Sequence, residues 1–336
     1  MEVTAALVRV GEPTDVAEAR RRAADIARAL ELDDVTGGRV AIAVTEVATN
    51  LLKHAGGGQI FLGVAGANDQ RGLQVIAMDR GGGMSSIAQS LIDGFSTAGS
   101  PGTGLGAIKR SSDSFDVYSS AAGTVVAASI FPGREDPATP LVLIGAVSVP
   151  APGEFECGDA WAVWTAGGLT SVLVVDGLGH GHEAALAATV AVDMFRRHAE
   201  RPAADVLALV HDALKKTRGA AVALAELDQR HERLQYCAVG NISAVVARPD
   251  GDEQHLVTSP GIVGHTMRRL QTFSYAWPRG SLLVMHSDGV GTRWSLGRYA
   301  GLRQCRPDVV AGVLFRDHKR GVDDATAVVI RHGEVA

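Results

Sequence analysis

Residues 169–198 read LTSVLVVDGLGHGHEAALAATVAVDMFRRH, and this stretch decides the fold of the second half of the chain. It begins with a candidate strand at 169–176, which contains the apolar run VLVV at 172–175. Asp176 and a glycine-rich turn follow this run, and the segment after the turn has apolar residues at helical spacing. The pattern predicts a strand, a tight turn and a helix, with Asp176 at the end of the strand.

The elements on either side of this stretch indicate two different modules joined by a linker. Two amphipathic helices, the second one beginning after Gly38, precede short strands in the first half. The second half is rich in strands and includes a further helix predicted over 203–218. Residues 131–140 contain three prolines and no periodicity. We therefore predict an α+β fold, with domains at 1–132 and 141–336 and a linker at 133–140.

Composition and charge exclude several classes of protein. The 336 residues are 46% apolar and 21% charged, which is enough apolar material for folded cores. With 32 Lys and Arg against 37 Asp and Glu, the net charge of −5 does not favour a nucleic acid partner. No apolar run approaches the ~20 residues of a membrane helix, and no signal peptide pattern opens the chain, so a cytoplasmic protein is expected. The three widely spaced cysteines argue against a disulfide framework or a zinc site.

Four segments in the second half carry aspartates where predicted strands begin or end. They are Cys157-Gly158-Asp159, Asp176-Gly177, Ser287-Asp288-Gly289 and Val322-Asp323-Asp324. A sheet can bring such residues to one edge, and convergent carboxylates bind hard divalent cations. The spacing leaves open whether Asp323 or its neighbour Asp324 faces the cation. His180 and His182 are candidates for a general acid or a phosphate contact, although histidines beside a helix start are often surface residues.

Together these motifs resemble those of the metal-dependent phosphatases of type 2C (PPM), and the segment DGLGHG at 176–181 resembles the SpoIIE and RsbX branch. The resemblance covers about residues 141–332 and implies a PPM-type β-sandwich flanked by helices. It implies that Asp176 bridges two Mn²⁺ or Mg²⁺ ions, with the Gly177 carbonyl as a further ligand. Asp288 and Asp323 would complete the site, and Asp159 would make an outer or third-metal contact. Asp176 and Asp288 are the catalytic residues that the resemblance implies for this half.

In the first half, polar residues share a helix face and are followed by two glycine-rich segments. Glu46 and Asn50 are spaced so that they project from one side of the second helix, although a solvated face shows the same spacing. Asp79 lies at a strand end before a turn that includes Gly81 and Gly83. Free backbone N–H groups at a helix start suit phosphate oxygens. The segment that opens the next helix consists of Gly102, Thr103, Gly104, Leu105 and Gly106.

This ordered set, with Gly123-Thr124 on a later strand, resembles the GHKL ATPases of the Bergerat fold, and most of all the anti-sigma-factor serine kinases of the RsbT and RsbW type. The resemblance covers about residues 3–130 and implies an α/β sandwich that binds ATP. It implies that Asn50 coordinates the Mg²⁺ on the phosphates and that Asp79, assisted by Thr124, reads the adenine amino group. The glycine-rich segments would line the nucleotide. Glu46 matches the catalytic base that activates a substrate hydroxyl.

The combination predicts a metal-dependent serine/threonine phosphoprotein phosphatase with an attached ATP-binding, kinase-like domain. The resemblance implies that its substrates are STAS-domain phosphoproteins, either anti-sigma antagonists or stress-complex scaffolds, in partner switching that controls a sigma factor. A sigma factor is a further candidate partner, and neither nucleic acid nor a membrane is expected as one. The alternative is a first domain that binds ATP without kinase activity, an anti-sigma or sensor module that only regulates the attached phosphatase. A third interpretation is that both domains are inactive scaffolds. The acidic residues of the candidate sites argue against it.

Overall fold

The computed structural model describes residues 5–66, 71–91, 104–133, 142–267 and 270–333. The chain divides into two compact units. The first unit combines Met1–Pro137 with Gln304–Arg316, and the second unit combines Ala138–Arg303 with Asp317–Ala336. A segment late in the sequence therefore belongs to the first unit, whereas the predicted domain limits placed it in the second. Most of the predicted linker lies outside the described residues.

The first unit contains one antiparallel sheet with helices packed on it. The sheet order is β1-β2-β3-β5-β4, and α1 and α2 share an apolar core with one of its faces. The strands are β1 (Ala6–Val10), β2 (Gly58–Ala65), β3 (Gly72–Met78), β4 (Ser114–Ser120) and β5 (Gly123–Ile130). The helices are α1 (Pro13–Ala29), α2 (Asp34–Ala55), α3 (Ile87–Ser90) and α4 (Gly104–Ser111). The sequence pattern missed β1, which precedes both amphipathic helices.

Helix α2 begins earlier than the sequence pattern predicts. The Asp33 carboxylate caps the helix by accepting a hydrogen bond from the Thr36 N–H at 2.8 Å, so the helix continues through Gly38 instead of starting after it. It ends at Gly56, whose φ of 69° lies in the left-handed region that favours glycine. The earlier start lengthens α2 without changing the face that its polar residues share.

The second unit is a sandwich of two antiparallel five-stranded sheets. Their orders are β15-β10-β9-β8-β7 and β12-β11-β16-β17-β6. The strands begin with β6 (Val142–Val149), β7 (Asp159–Ala166), β8 (Leu169–Gly177), β9 (Ala220–Asp228), β10 (Arg233–Val239) and β11 (Ser243–Ala247). They continue with β12 (Glu253–His255), the hairpin β13 (Gly261–Ile262) and β14 (Thr266–Met267), β15 (Phe273–Ala276), β16 (Leu282–His286) and β17 (Ala325–His332). The helices are α5 (His182–His198) and α6 (Ala203–Leu214).

Strand β8 is buried on both faces because it lies between the other sheet and the two helices. Val174 joins the core between the sheets, whereas Val175 joins the core beneath α5 and α6. This explains the continuous apolar run in the sequence, and the predicted α+β architecture is confirmed. Helix α6 ends at Leu214 rather than at Arg218, since the Thr217 hydroxyl donates to the Leu214 carbonyl at 2.8 Å. Among the described residues, no helix is long and apolar enough to cross a membrane.

The last helix, α7 (Pro307–His318), covers the second face of the sheet in the first unit. A Cβ built on Gly312 would lie 2.8 Å from Ile76 Cγ2 and 2.9 Å from Val125 Cγ1, so the α7 backbone touches β3 and β5 directly. Their neighbours Val75 and Val126 point the other way, into the core shared with α1 and α2. Every residue of β3 and β5 is consequently buried.

Replacing Gly312 by alanine is expected to destabilise the protein, because the added methyl group would overlap Ile76 and Val125. Overpacking of this kind costs about 1–3 kcal/mol. The matched control is Gly38→Ala in α2, where a Cβ meets nothing within 4 Å and should stabilise the helix by about 0.5–1 kcal/mol. Urea unfolding measures both variants, and equal midpoints would contradict the close packing of α7.

Candidate functional site

Asp159 and Asp176 lie opposite each other where β7 begins and β8 ends. The two residues are direct partners in the antiparallel register. Asp159 is buried, and its Oδ2 accepts a hydrogen bond from the Ser287 hydroxyl at 2.6 Å. The Ser287 Oγ in turn accepts from the Thr326 N–H at 3.0 Å. These bonds bring the turn after β16, which carries Asp288, and the start of β17 to the same edge of the sandwich.

The pKa of Asp176 reports the concentration of negative charge at this edge. Burial, followed by the charges of Asp288, Asp323 and Asp324, raises the pKa of Asp176 to about 7. Burial and the charge of Asp176 likewise raise the pKa of Asp159 well above its ordinary value. The side chains that the sequence placed at four separate strand ends therefore lie close enough to repel one another. Carboxylates arranged in this way favour the binding of a cation.

The two adjacent aspartates before β17 have different surroundings. Asp324 is buried, and its two carboxylate oxygens accept hydrogen bonds from the Ala151 N–H at 2.8 Å and the Gly158 N–H at 3.0 Å. Asp324 therefore anchors the loop between β6 and β7. Asp323 is half-buried, and among the described residues its carboxylate accepts a hydrogen bond only from the neighbouring Asp324 N–H. The hydrogen bonds thus favour Asp323 as the cation ligand and give Asp324 a structural role.

The donor set at this edge fits a hard divalent cation. The carboxylates of Asp176, Asp288 and Asp323 and the carbonyl oxygen of Gly177 are the kind of ligand that Mg²⁺ and Mn²⁺ prefer. In the part of the chain that the structure describes, no three His, Cys, Asp or Glu side chains form a group that could hold an ion by themselves. Mg²⁺ usually retains several waters and takes only one or two carboxylates. An open set of carboxylates is compatible with such hydrated ions.

Two residues at this edge were missed by the sequence analysis. Asn241 Nδ2 donates to Asp288 Oδ2 at 2.8 Å and so fixes one oxygen of that carboxylate. Burial lowers the pKa of the half-buried Lys319, while the nearby Asp324 and Cys157 groups act in the opposite direction. Both are single polar residues outside any motif. The glycine before Asn241, with a φ of 107°, was the one local signal of a special turn.

The Cys157 thiol and the imidazoles of His180 and His182 lie near this edge, in surroundings typical of structural or surface residues. Burial, followed by the charges of Asp159 and Asp324, raises the pKa of the Cys157 thiol, which disfavours the reactive thiolate. His180 Nδ1 lies 2.7 Å from Glu154 Oε1, and His182 Nδ1 lies 2.8 Å from Glu156 Oε2. Both imidazoles are exposed and hydrogen-bonded to the loop before β7. That loop therefore connects to the start of α5 on one side and to Asp324 on the other.

Asp324→Ala is expected to destabilise the loop before β7, whereas Asp323→Ala is not. Removing the Asp324 carboxylate leaves two buried N–H groups without an acceptor, which costs about 1–3 kcal/mol. Asp323 has no comparable bonds, and its removal relieves repulsion. Hydrogen exchange of the Ala151 and Gly158 amides, measured without added metal, distinguishes the variants. Faster exchange of these amides in Asp323→Ala, with normal protection in Asp324→Ala, would reverse the assignment.

A second set of polar residues gathers on the first unit. Glu46 and Asn50 are half-buried on the same face of α2. Asp79 follows β3, and its Oδ1 accepts from the Gly81 N–H at 2.8 Å and from the Thr124 N–H at 3.1 Å. The Asp79 N–H donates a hydrogen bond to the Thr124 carbonyl at 2.9 Å. The predicted partners Asp79 and Thr124 are thus directly bonded, and one oxygen of Asp79 is fixed by two backbone donors.

Two glycines, Gly104 and Gly83, make close contacts with the residues around Asn50 and Asp79. A Cβ on Gly104, at the start of α4, would lie 2.9 Å from Asn50 Oδ1, so a larger residue at this position would displace the Asn50 amide. At Gly83, which has a φ of 74°, a Cβ would clash with the Ser120 carbonyl. Leu105 and Gly106 continue α4. Gly102 and Thr103 lie outside the described residues.

Helix α7 reaches this set from the other face of the sheet, which the sequence did not indicate. Arg316 is buried, and its Nη1 donates to the Asp79 backbone carbonyl at 3.3 Å. Arg80 Nη2 donates in return to the Arg316 carbonyl. Two arginines therefore tie the end of α7 to the turn that carries Asp79, within the first unit.

Comparison with known proteins assigns a family to each part of the chain. The family described as "Stage II sporulation protein E (SpoIIE)" matches residues 166–332, and the family "Histidine kinase-like ATPase domain" matches residues 10–130. The serine/threonine-protein kinase RsbT of Bacillus subtilis (strain 168) is 36% identical over 112 residues, which are 33% of this chain and 84% of RsbT. The phosphoserine phosphatase RsbX of the same organism is 23% identical over 138 residues, which are 41% of this chain and 69% of RsbX.

Solved structures resemble the chain as well. The crystal structure of RsbX in complex with magnesium has a TM-score of 0.51 and 19% identity, covering 57% of this chain and 96% of that one. A chain of the structure described as "The bacterial stressosome: a modular system that has been adapted to control secondary messenger signaling" has a TM-score of 0.53 and 29% identity. That match covers 56% of this chain and 99% of the other.

These matches define the class as a GHKL-type ATPase domain joined to a PPM-type phosphatase domain. The chain belongs to the RsbT family through its first half, and its second half is a SpoIIE-type domain related to RsbX. The predicted family resemblance, fold and enzyme class, that of a serine/threonine phosphatase with a serine kinase-like domain, are thereby confirmed. The roles of individual residues stay predictions.

Proposed function

We propose that the chain is a metal-dependent serine/threonine phosphoprotein phosphatase whose first unit binds ATP and phosphorylates serine. Its proposed substrates are STAS-domain regulators in the partner switching that controls sigma factors or a stress response. The observation that carries the phosphatase proposal is the convergence of the Asp176, Asp288 and Asp323 charges at one edge of a SpoIIE-type sandwich. The similarity to a kinase and a phosphatase of one organism supports the pairing of the two activities.

Asp176, Asp288, Asp323 and the Gly177 carbonyl are the groups that would hold a pair of Mg²⁺ or Mn²⁺ ions. When bound, such ions neutralise phosphate charge and lower the pKa of the attacking water. The chain prepares this arrangement, because Asn241 donates to Asp288 and thereby orients its carboxylate. Ser287 donates to Asp159, which would make the outer contact. The raised pKa of the Cys157 thiol disfavours that side chain as a nucleophile, and a water activated by the ions would take that role.

The first unit is proposed to transfer phosphate from ATP to a serine hydroxyl. Asn50 would hold the Mg²⁺ on the phosphates, while the N-terminal end of α4 faces them. Because both backbone donors bond to Asp79 Oδ1, Oδ2 is the oxygen that would accept from the adenine amino group. Glu46 would take the proton of the serine hydroxyl as its oxygen bonds to the γ-phosphorus and the bond to the β–γ bridging oxygen breaks.

Two opposed activities on one chain require control. Linked modules meet any shared partner at high effective concentration. If both acted freely on the same serine, the net result would be hydrolysis of ATP. We therefore infer that the two units act on different phosphoproteins of one pathway, or that a bound partner selects which unit is active.

Purified protein with Mn²⁺ is expected to release phosphate from a serine-phosphorylated STAS-domain protein. Asp176→Ala should lower this rate by roughly hundredfold or more, because even residues that only support a metal ligand change activity by 10–100-fold. The matched control is Asp193→Ala, which removes an exposed aspartate on α5. Phosphate release that survives Asp176→Ala, or that proceeds without divalent cations, would contradict the proposed mechanism.

Glu46→Gln is expected to abolish phosphotransfer from ATP while leaving nucleotide binding intact. Asp79→Asn keeps an acceptor for the two backbone donors but presents an NH₂ group to adenine, and should weaken ATP binding by about tenfold or more. Titration with a fluorescent ATP analogue and transfer of labelled phosphate measure the two effects, with the exposed Glu18→Gln as control. Wild-type protein that binds ATP without phosphorylating any STAS-domain protein would favour the alternative of a non-enzymatic ATP-binding module.

A further inference from the structure

An arginine outside every motif lies beside the glycine turn that follows Asp176. Strands β8 and β9 pair so that Gly177 lies opposite Ala220. The next residue, Leu178, donates its N–H to the Gly219 carbonyl at 3.0 Å. The turn at 215–219, which joins α6 to β9, therefore lies directly against the turn that begins the candidate metal site.

Hydrogen bonds and close packing hold this turn in one conformation. The Thr217 hydroxyl donates to the Leu214 carbonyl at 2.8 Å and accepts from the Gly219 N–H at 3.0 Å. Gly219 has a φ of 81°, and a Cβ there would lie 2.7 Å from the Val263 carbonyl oxygen, so glycine is required. Arg218 lies between these two fixed residues, and its backbone position is therefore set by the fold.

The Arg218 side chain extends over the glycine turn. Its Nη1 lies 3.3 Å from the position that a Cβ would take on Gly179. The side chain is exposed, and within the described ranges it forms no ion pair. Lys215 on the same turn is already paired with Asp212 at 2.6 Å. Arg218 is thus an uncommitted cation beside an edge dominated by carboxylates.

We propose that Arg218 binds the phosphate group of the phosphoprotein substrate, an inference that rests on the phosphatase function proposed above. The carboxylates of the candidate site repel a phosphate dianion, so a positive group on its rim would add to the attraction that the metal ions supply. A guanidinium supplies charge and two parallel N–H donors that match phosphate oxygens. The imidazoles on this rim are engaged with other groups, since His180 bonds to Glu154 and His182 bonds to Glu156.

This role separates phosphate binding from metal binding. Arg218 contacts the phosphate in the bound substrate and in the free product, and it touches none of the proposed metal ligands' oxygen atoms in the hydrogen bonds of the described residues. Its loss should therefore weaken the binding of phosphoprotein and of inorganic phosphate together. The affinity for the metal ions should stay unchanged.

The test compares wild type, Arg218→Gln and Arg218→Lys in the full chain with Mn²⁺. Arg218→Gln should raise the KM for a serine-phosphorylated STAS-domain protein by about tenfold or more, since charge-assisted hydrogen bonds are stronger than those between neutral groups. Inorganic phosphate, titrated by calorimetry, should bind more weakly by a similar factor, while Mn²⁺ binds as in wild type. Arg218→Lys keeps the charge without the planar fork and should recover part of the loss. Arg197→Gln, in the exposed last turn of α5, is the matched control.

Equal KM values and equal phosphate affinities in wild type and Arg218→Gln would overturn the inference while leaving the phosphatase proposal intact. A change in Mn²⁺ affinity would overturn it as well, because Arg218 would then act through the metal site. If wild type releases no phosphate, the proposed function fails. The calorimetric titration of inorganic phosphate still decides in that case whether Arg218 binds a phosphate group.

Discussion

The second unit depends on holding like charges together at the ends of its strands. Asp159 and Asp176 are placed opposite each other by the register of β7 and β8, and Ser287 bonds Asp159 to the turn that carries Asp288. Burial and the charges of the neighbouring carboxylates disfavour the ionised form of Asp176, as its raised pKa shows. The apolar cores on both faces of β8 supply the stabilisation that offsets this repulsion. The fold thus keeps a set of oxygen ligands together before any ion arrives.

The first unit also holds an acidic side chain at the end of a buried strand, but with less negative charge around it. Asp79 also follows a strand that is buried on both faces, and two backbone N–H groups fix one of its oxygens. Here the surrounding groups are donors rather than carboxylates, so the side chain is oriented without accumulating charge. Both sites consequently place an acidic group at the end of a rigid strand, where a ligand can reach it without any rearrangement of the core.

The sequence predicts those features that have a period or a motif. The central strands and the long helices follow from apolar spacing, and the acid–glycine turns indicated both sites. Strand β1 was missed because it has five residues and pairs only with β2. The placement of α7 could not be predicted, since a helix buried over residues 307–316 has no polar face there to give its orientation. Asp323 and Asp324 are equivalent by spacing, and only the backbone donors at Ala151 and Gly158 distinguish them.

The membership of 304–316 in the first unit has a consequence for how the chain reaches its native state. Ribosomes synthesise a protein from its amino terminus, so β3 and β5 emerge early. At that stage the apolar side chains of Ile76 and Val125 are exposed on one face of the sheet. The part of α7 that covers them, around Gly312, emerges only after residues 138–303 of the second unit have been made. Synthesis of the first unit therefore starts before that of the second unit and ends after most of it. The kinase-like unit reaches its native packing only in molecules in which residues 138–303 of the phosphatase unit have also been translated.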